Sequence, residues 1–170
     1  MRRARRGSAA GAAGGAYRLA VALGEKAIAR ALARAPVARL ATLDSGGAPR
    51  LVPVVFVHVA GALWSPVDAK PKRRAALGRL ERLARDPRAA ALVDHYERDW
   101  TRLWWIELLG RGAVVRADAP ERDPALAAVV AALREKYPQY ARDENALFLG
   151  TPTLIRLDVD RIRTWSASAV

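Results

Sequence analysis

Residues 37–59 carry two strand patterns on either side of a glycine turn, and this pairing limits the folds open to the chain. Residues 37–43 and 51–59 are mainly apolar, and the stretch DSGGAP between them contains Gly46 and Gly47. Glycine readily adopts the positive φ that a tight reversal needs, so the pattern predicts a β-hairpin. Its second strand is apolar on both faces, which indicates a barrel rather than an open sheet with one solvated face.

Strand and helix patterns alternate along the rest of the chain. Four more strands are predicted, at residues 61–67, 88–96, 102–115 and 153–160. Helical spacing predicts helices at residues 17–35, 75–85 and 124–137. The first two helices are predicted to bury Val21, Ile28 and Leu32, and Leu77, Leu80 and Ala84. The sequence therefore predicts an α+β fold, a six-stranded barrel with peripheral helices.

Local signals refine two of these elements. Gly110 and Gly112 lie inside the long fifth strand, where glycine is typical of a bulge or sharp bend. Asp123 followed by Pro124 predicts a helix start, because aspartate caps the first turn and proline fits its first position. Pro138 predicts the end of that helix.

The composition favours one domain with a short tail. The chain has 170 residues, of which 52% are hydrophobic, enough for one sizeable core. We expect residues 17–170 to form a single domain and the arginine-rich residues 1–16 to be a disordered basic tail. No long apolar run follows this tail, so the sequence favours a cytoplasmic protein that does not engage a membrane.

The charge of the chain favours an anionic partner. The formal net charge is +12, which attracts nucleic acid, anionic membranes and phosphorylated cofactors alike. The chain contains no cysteine, so disulfides, thiolate metal sites and cysteine nucleophiles are excluded.

Few residues suit acid–base or metal chemistry. The two histidines, His58 and His95, have no ligand-like spacing, so no metal site is predicted. His58 lies within a strand pattern and is interpreted as structural, whereas His95 precedes a charged loop and is a candidate for substrate contact. No serine lies in a nucleophile elbow and no glycine-rich loop has a phosphate-binding pattern, which argues against a hydrolase.

A cluster of cations and a group of tryptophans remain to be explained. The stretch VDAKPKRRAALGRL contains Lys70, Lys72, Arg73 and Arg74 directly before a helix. Cations oppose the dipole at a helix N-terminus, so a bound anion would explain the cluster better than a solvated helix edge does. Together with the tryptophan group Trp100, Trp104 and Trp105 and an apolar barrel, the cluster favours a large, flat, anionic ligand.

The order of several motifs now points to a family. The stretches VARLATLDSGGAPRLVPVVF, SPVDAKPKRR, LARDPRAAALVDHY, DWTRLWW and LIRLDVDRIRTW occur in this sequence. Their order resembles that of the pyridoxamine-phosphate-oxidase-like split β-barrel flavoproteins over residues 35–165. Within them the chain is most similar to the deazaflavin-dependent branch that uses coenzyme F-420. This implies a six-stranded FMN-binding split β-barrel.

The resemblance also implies the residues of a cofactor site. The backbone of Pro53, Val54 and Val55 would line the flavin-like ring, and Lys70, Lys72 and Arg73 would hold the cofactor phosphate. The full set of implied cofactor-binding residues is Pro53, Val54, Val55, Ser65, Lys70, Lys72, Arg73, Trp100, Arg102 and Trp104. Trp104 and Trp105 are adjacent, so in a strand they face opposite ways and only one can reach the ring.

The implied function is that of an oxidoreductase. It would transfer a hydride between F-420, an 8-hydroxy-5-deazaflavin, and a small organic substrate, in a homodimer with cofactor at the interface. FMN is the alternative cofactor, and a non-enzymatic flavin-binding or nucleic-acid-binding module is the alternative function. Tryptophans clustered in one segment do not form the extended track that single-stranded nucleic acid requires, so we expect no nucleic-acid partner. No catalytic residue is assigned, although His95 or Tyr96 could deliver a proton.

Overall fold

The fold is built around one antiparallel sheet. A computed structural model describes residues 21–69, 78–143 and 145–168. Seven strands make up the sheet: β1 (Ala38–Leu43), β2 (Pro49–Val54), β3 (Val57–Val59), β4 (Ala62–Pro66), β5 (Arg88–His95), β6 (Trp104–Arg116) and β7 (Thr153–Ser166). They are ordered β2-β1-β5-β6-β7-β4-β3, and every neighbouring pair is antiparallel.

Four helices accompany the sheet, so the predicted α+β class is confirmed. They are α1 (Glu25–Arg34), α2 (Gly78–Arg85), α3 (Pro124–Lys136) and α4 (Pro138–Arg142). No helix within the described ranges is long and apolar enough to cross a membrane. The predicted basic tail, residues 1–16, lies outside the described residues.

The predicted hairpin is present, but its second strand is broken in two. Asp44 accepts hydrogen bonds from the backbone of Gly46 and Ala48, and Gly47 has a φ of 80°. Six strands were expected and seven are found, because pairing stops at residues 55–56, between β2 and β3. These two strands are the edges of the sheet, so the break turns the chain from one edge to the other.

The sheet separates two hydrophobic cores. The first lies on its inner face and includes Leu40, Phe56, Ile106 and Leu157, all fully buried. The second lies between α3, α4 and the opposite face of β3, β4 and β7, and includes Trp64 and fully buried Leu133. The second strand of the hairpin was expected to be apolar and buried on both faces, but in β2 only Val54 is buried; the strand buried on both faces is β4, in which all five residues are buried.

Two helices differ from the sequence prediction. Helix α1 starts at Glu25, eight residues later than expected, because Val21 instead pairs with Ser166 in β7 through two backbone hydrogen bonds. Residues 17–20 lie outside the described part. Helix α2 buries Leu83, whereas the predicted Ala84 is exposed and Leu80 is half-buried. The predicted Leu77 is outside the described residues.

The bulge and the capped helix were predicted correctly. The β6–β7 register shifts between Leu109 and Gly110, and a Cβ on Gly110 would lie 1.8 Å from the carbonyl oxygen of Asp158. Only glycine allows that backbone approach. Asp123 caps α3 by accepting a hydrogen bond from the backbone of Ala125 at 2.8 Å.

Candidate functional site

The outer face of the sheet carries a row of side chains that begins at a predicted site residue. Pro53 pairs with Arg39, Arg39 with Leu92, Leu92 with Glu107, and Glu107 with Arg163. Residues paired across neighbouring strands point to the same face. The side chain of Val54, in contrast, is buried in the inner core, so on the outer face Val54 can offer only its backbone.

A shallow pocket lies on this row and is called the outer pocket below. It has a volume of about 460 Å³, within the range of small-molecule sites. Its lining combines two aromatic rings, one aliphatic side chain and three charged groups: Leu92, Asp94, Tyr96, Trp105, Glu107 and Arg163. The ring of Tyr96 is 65% exposed. This mixture suits a flat ligand that also carries charge.

Ion pairs on the outer face hold its arginines in place. Arg39 pairs with Asp94, and Arg163 Nη1 lies 3.6 Å from Glu107 Oε2. Exposed ion pairs contribute at most about 1 kcal/mol. The Arg163 guanidinium, 63% exposed, could therefore turn to an anionic ligand at low cost, whereas Arg39 pairs with an Asp94 side chain that is only 14% exposed.

The two adjacent tryptophans do face opposite ways. Trp104 packs against the inner core and stacks on His95, with ring centroids 6.3 Å apart. It borders a separate cleft of about 310 Å³ beside α1. Trp105 lines the outer pocket, on the same face as Pro53. Sequence reasoning selected Trp104 for the cofactor site and did not include Trp105.

Trp100 and Arg102 lie on the turn that joins β5 to β6. This turn is a single 3₁₀ turn, capped by Asp99, which accepts hydrogen bonds from the backbone and hydroxyl of Thr101. Those bonds lower the pKa of Asp99. Trp100 is 75% exposed, and Arg102 Nη1 lies 3.1 Å from Glu97 Oε1, which also contacts His95 Nε2 at 3.0 Å. The turn thus presents a free indole face and an ion-paired arginine.

A buried tyrosine fixes the strand break next to the predicted ring-lining backbone. Tyr137 Oη accepts a hydrogen bond from the backbone N–H of Phe56 at 2.9 Å and lies 2.8 Å from the carbonyl oxygen of the same residue. It is also 3.0 Å from the carbonyl oxygen of Pro36. Burial raises the pKa of Tyr137. The sequence predicts Tyr137 as the last residue of a helix. The only sign of a polar role there is that a tyrosine stands where an aliphatic residue would fill the core.

The predicted phosphate-binding residues Lys70, Lys72 and Arg73 lie outside the described residues, but their flanks are described. Asp68 is buried and accepts a hydrogen bond from Tyr140 at 2.7 Å. Burial, together with that bond, raises the pKa of Tyr140.

On the other side of the cluster, burial lowers the pKa of Arg79, and the charge of Asp68 opposes that shift. Ser65 Oγ and Arg79 Nε are buried without a hydrogen-bond partner among the described residues. Buried polar groups are normally paired, so each of these two atoms is available to a bound group. Within the described ranges, no three His, Asp or Glu side chains gather as metal ligands.

Comparisons with known proteins identify the family. The profile described as pyridoxamine 5'-phosphate oxidase matches residues 25–166. No curated protein sequence matches.

Among solved structures, a conserved hypothetical protein from Mycobacterium tuberculosis is 22% identical, with a TM-score of 0.65 over 88% of this chain and 89% of that one. HutZ, the heme storage protein from Vibrio cholerae, is 16% identical, with a TM-score of 0.63 over 83% and 94%. A FAD-binding protein from Mesorhizobium loti is 15% identical, with a TM-score of 0.59 over 86% and 96%. These likenesses support the fold, and the family match confirms the expected split β-barrel. The chain belongs to the pyridoxamine 5'-phosphate oxidase family.

Proposed function

We propose that this protein is a deazaflavin-dependent oxidoreductase that transfers a hydride between coenzyme F-420 and a small organic substrate. The observation that carries the proposal is the pair of buried, unpartnered atoms Ser65 Oγ and Arg79 Nε on either side of the basic cluster. Ser65 is itself one of the residues that the family resemblance assigns to the cofactor. A phosphorylated cofactor would give both atoms, and the cations that lie between them in the sequence, an anionic partner.

The chain's own residues would bind and orient the cofactor. Lys70, Lys72 and Arg73 would hold its phosphate, and the backbone of residues 53–55 would line its ring. Tyr137 keeps that backbone in place through its bonds to Phe56. Bound there, a deazaflavin would supply the hydride acceptor or donor, so the protein's part is orientation and exclusion of water.

The outer pocket would receive the substrate or the cofactor's distal part. Trp105 and Tyr96 offer ring faces there, and Arg163 and Arg39 offer charge to an anionic tail. F-420 has a phosphodiester and a glutamyl tail, whereas FMN has one terminal phosphate. The surplus positive charge of the chain suits F-420 but does not select it over FMN, the alternative, so the preference for F-420 rests on the family resemblance.

The experiment that tests this function is a comparative titration. Tryptophan fluorescence of the purified protein is followed while F-420, FMN and hemin are added separately, since structural neighbours include FAD-binding and heme storage proteins. We expect the tightest binding for F-420. Hemin needs an axial ligand, and of the two histidines His95 Nε2 contacts Glu97 while His58 Nε2 is buried. Tighter binding of hemin than of either flavin would replace the proposal with heme binding, and affinity for none would refute it.

A homodimer is part of the same proposal. The outer face exposes Leu51, at 62%, together with half-buried Leu92 and Trp105. A second copy packed on this face would bury them and enclose the cofactor between subunits. Light scattering should give the mass of two chains at micromolar concentration. The mass of one chain would refute the dimer but leave the cofactor titration to decide the function.

A further inference from the structure

A groove distinct from the outer pocket lies between α1, α3 and the edge strand β3. Its volume is about 480 Å³, which is within the range of small-molecule sites. Ala29 and Ala33, one turn apart on α1, face Ala132 of α3 across this space, and Val57 contributes an aliphatic wall. The small side chains leave room for an apolar body about the size of one aromatic ring.

One wall of the groove holds a lysine whose charge is incompletely compensated. Lys136 Nζ donates one hydrogen bond, to the carbonyl oxygen of Leu32 at 2.8 Å, and lies 3.8 Å from the centre of the Phe56 ring. An ammonium group has three donors, and Lys136 Nζ makes no second hydrogen bond to the described part of the chain. Burial lowers the pKa of Lys136 to about 8, because desolvation penalises the charged form of the ammonium group.

A second unpartnered group lies on the strand that borders the same groove. His58 Nε2 is buried and has no hydrogen-bond partner among the described residues. Burial lowers the pKa of His58, so its ring is neutral at pH 7. A neutral ring protonated at Nε2 donates one hydrogen bond. Buried donors without a partner are uncommon in native structures.

The charges around the groove select the ligand class. Arg34 and Glu135 have opposite charges and also border the groove, so Lys136 leaves a net charge of about one positive unit there. We propose that this groove binds a small organic carboxylate with an apolar body, held at its carboxylate by Lys136 Nζ. The proposal does not depend on the cofactor, because the groove shares no residue with the outer pocket.

Benzoate is a suitable probe, with benzamide as its neutral counterpart of the same shape. Isothermal titration calorimetry at pH 7 should detect benzoate binding to the full chain, and benzamide should bind about tenfold or more weakly, since it lacks the charge-assisted hydrogen bond. Binding should be the same with and without saturating F-420. Equal affinity for both probes, or displacement of benzoate by F-420, would overturn the assignment.

Two variants locate the binding. Ala33→Leu fills the groove from an exposed position and keeps every polar group, so it should weaken benzoate binding about tenfold or more. Ala84→Leu makes the same change on exposed α2 and should leave the affinity unchanged. Lys136→Met should reduce the preference for benzoate over benzamide, and a thermal melt checks that it folds. If Lys136→Met does not fold, Ala33→Leu alone decides: unchanged benzoate affinity in that variant would overturn the proposal.

Discussion

The two halves of the sheet differ in how many of their faces the chain covers. All five residues of β4 are buried, because the inner core lies on one side and α3 with α4 on the other. In β2 only Val54 is buried, and Leu51 on its outer face is 62% exposed. The covered half is completed by contacts within the chain. The open half displays exposed Leu51 and half-buried Leu92 and Trp105 beside ion-paired charges, and this is the face that we propose a second subunit covers.

A pair of leucine substitutions should give the largest contrast between the halves. Leu133→Ala removes a fully buried side chain beneath α3 and should lower the free energy of unfolding by about 2–5 kcal/mol. Leu51→Ala on the open face should change it by about 0.5 kcal/mol or less in the monomer. Urea unfolding measures both.

Protein concentration sharpens the same comparison. If a second copy covers the open face, the effect of Leu51→Ala should grow with protein concentration, because dimerisation stabilises the folded state by mass action. The effect of Leu133→Ala should stay large at every concentration. Equal effects of both substitutions at low concentration would mean that the open face is as tightly packed as the covered one.

The basic cluster gives the next largest effect, and it should concern binding alone. Changing Lys70 and Lys72 together to Ala should weaken F-420 binding by about 1.5–3 kcal/mol, the contribution of a charge-assisted hydrogen bond. Binding of the phosphate-free chromophore should barely change, and folding should survive. The control variant, Lys26→Ala with Arg122→Ala, removes two exposed charges elsewhere. If both double variants bind F-420 with equal affinity, the basic cluster is a solvated helix edge and not a phosphate site.

The break between β2, in the open half, and β3, in the covered half, is held by the hydroxyl group of Tyr137. Tyr137→Phe keeps the ring in the second core but leaves the N–H and C=O of Phe56 unpaired, which should cost about 1–3 kcal/mol of stability. Tyr96→Phe, at an exposed ring, is the matched control and should have little effect on stability. If Tyr137→Phe unfolds at the same denaturant concentration as the wild type, water or rearrangement must satisfy Phe56, and this tyrosine does not fix the strand break.

Patterns of neighbouring residues predicted many helices, strands and caps in both halves of the sheet. They did not predict contacts between residues that are far apart in sequence. The bulge at Gly110 and the cap at Asp123 depend on conformations that the nearby residues themselves favour. The late start of α1 depends on Val21 pairing with Ser166, 145 positions away, and the strand break on Tyr137, 81 positions from Phe56. Sequence spacing does not encode such partners.

The tryptophan pair shows the same limit within the site. Alternation along a strand implies that Trp104 and Trp105 face opposite ways, and the structure confirms it. Alternation does not tell which of the two tryptophans faces the core, because a register shift of one residue would exchange their positions. Only the pairing of β6 with β5 and β7 places Trp105 outside.

The smallest predicted effect is a pH dependence that belongs to the covered half. The folded-state pKa of Lys136 is about 8, below its ordinary value of 10.5, because burial penalises its charge. Between these two values the unfolded chain holds more protons than the folded one, so the free energy of unfolding should rise with pH from about 8 upward. Lys136 is partly exposed, so screening limits the gain to the order of 1 kcal/mol.

The lysine can be isolated by comparing the wild type with Lys136→Met from pH 7 to 10. Tyr137 and Tyr140 have raised pKa values, so their contribution to stability falls as pH rises beyond about 10, opposite in sign to that of Lys136. Both tyrosines are present in both proteins and cancel in the difference. The wild type should gain stability over Lys136→Met as pH rises through 8, whatever the constant offset caused by the lost bond to Leu32. A difference that stays constant across this range would show that Lys136 keeps its charge in the folded protein, and that the groove between α1 and α3 is wetter than its packing implies.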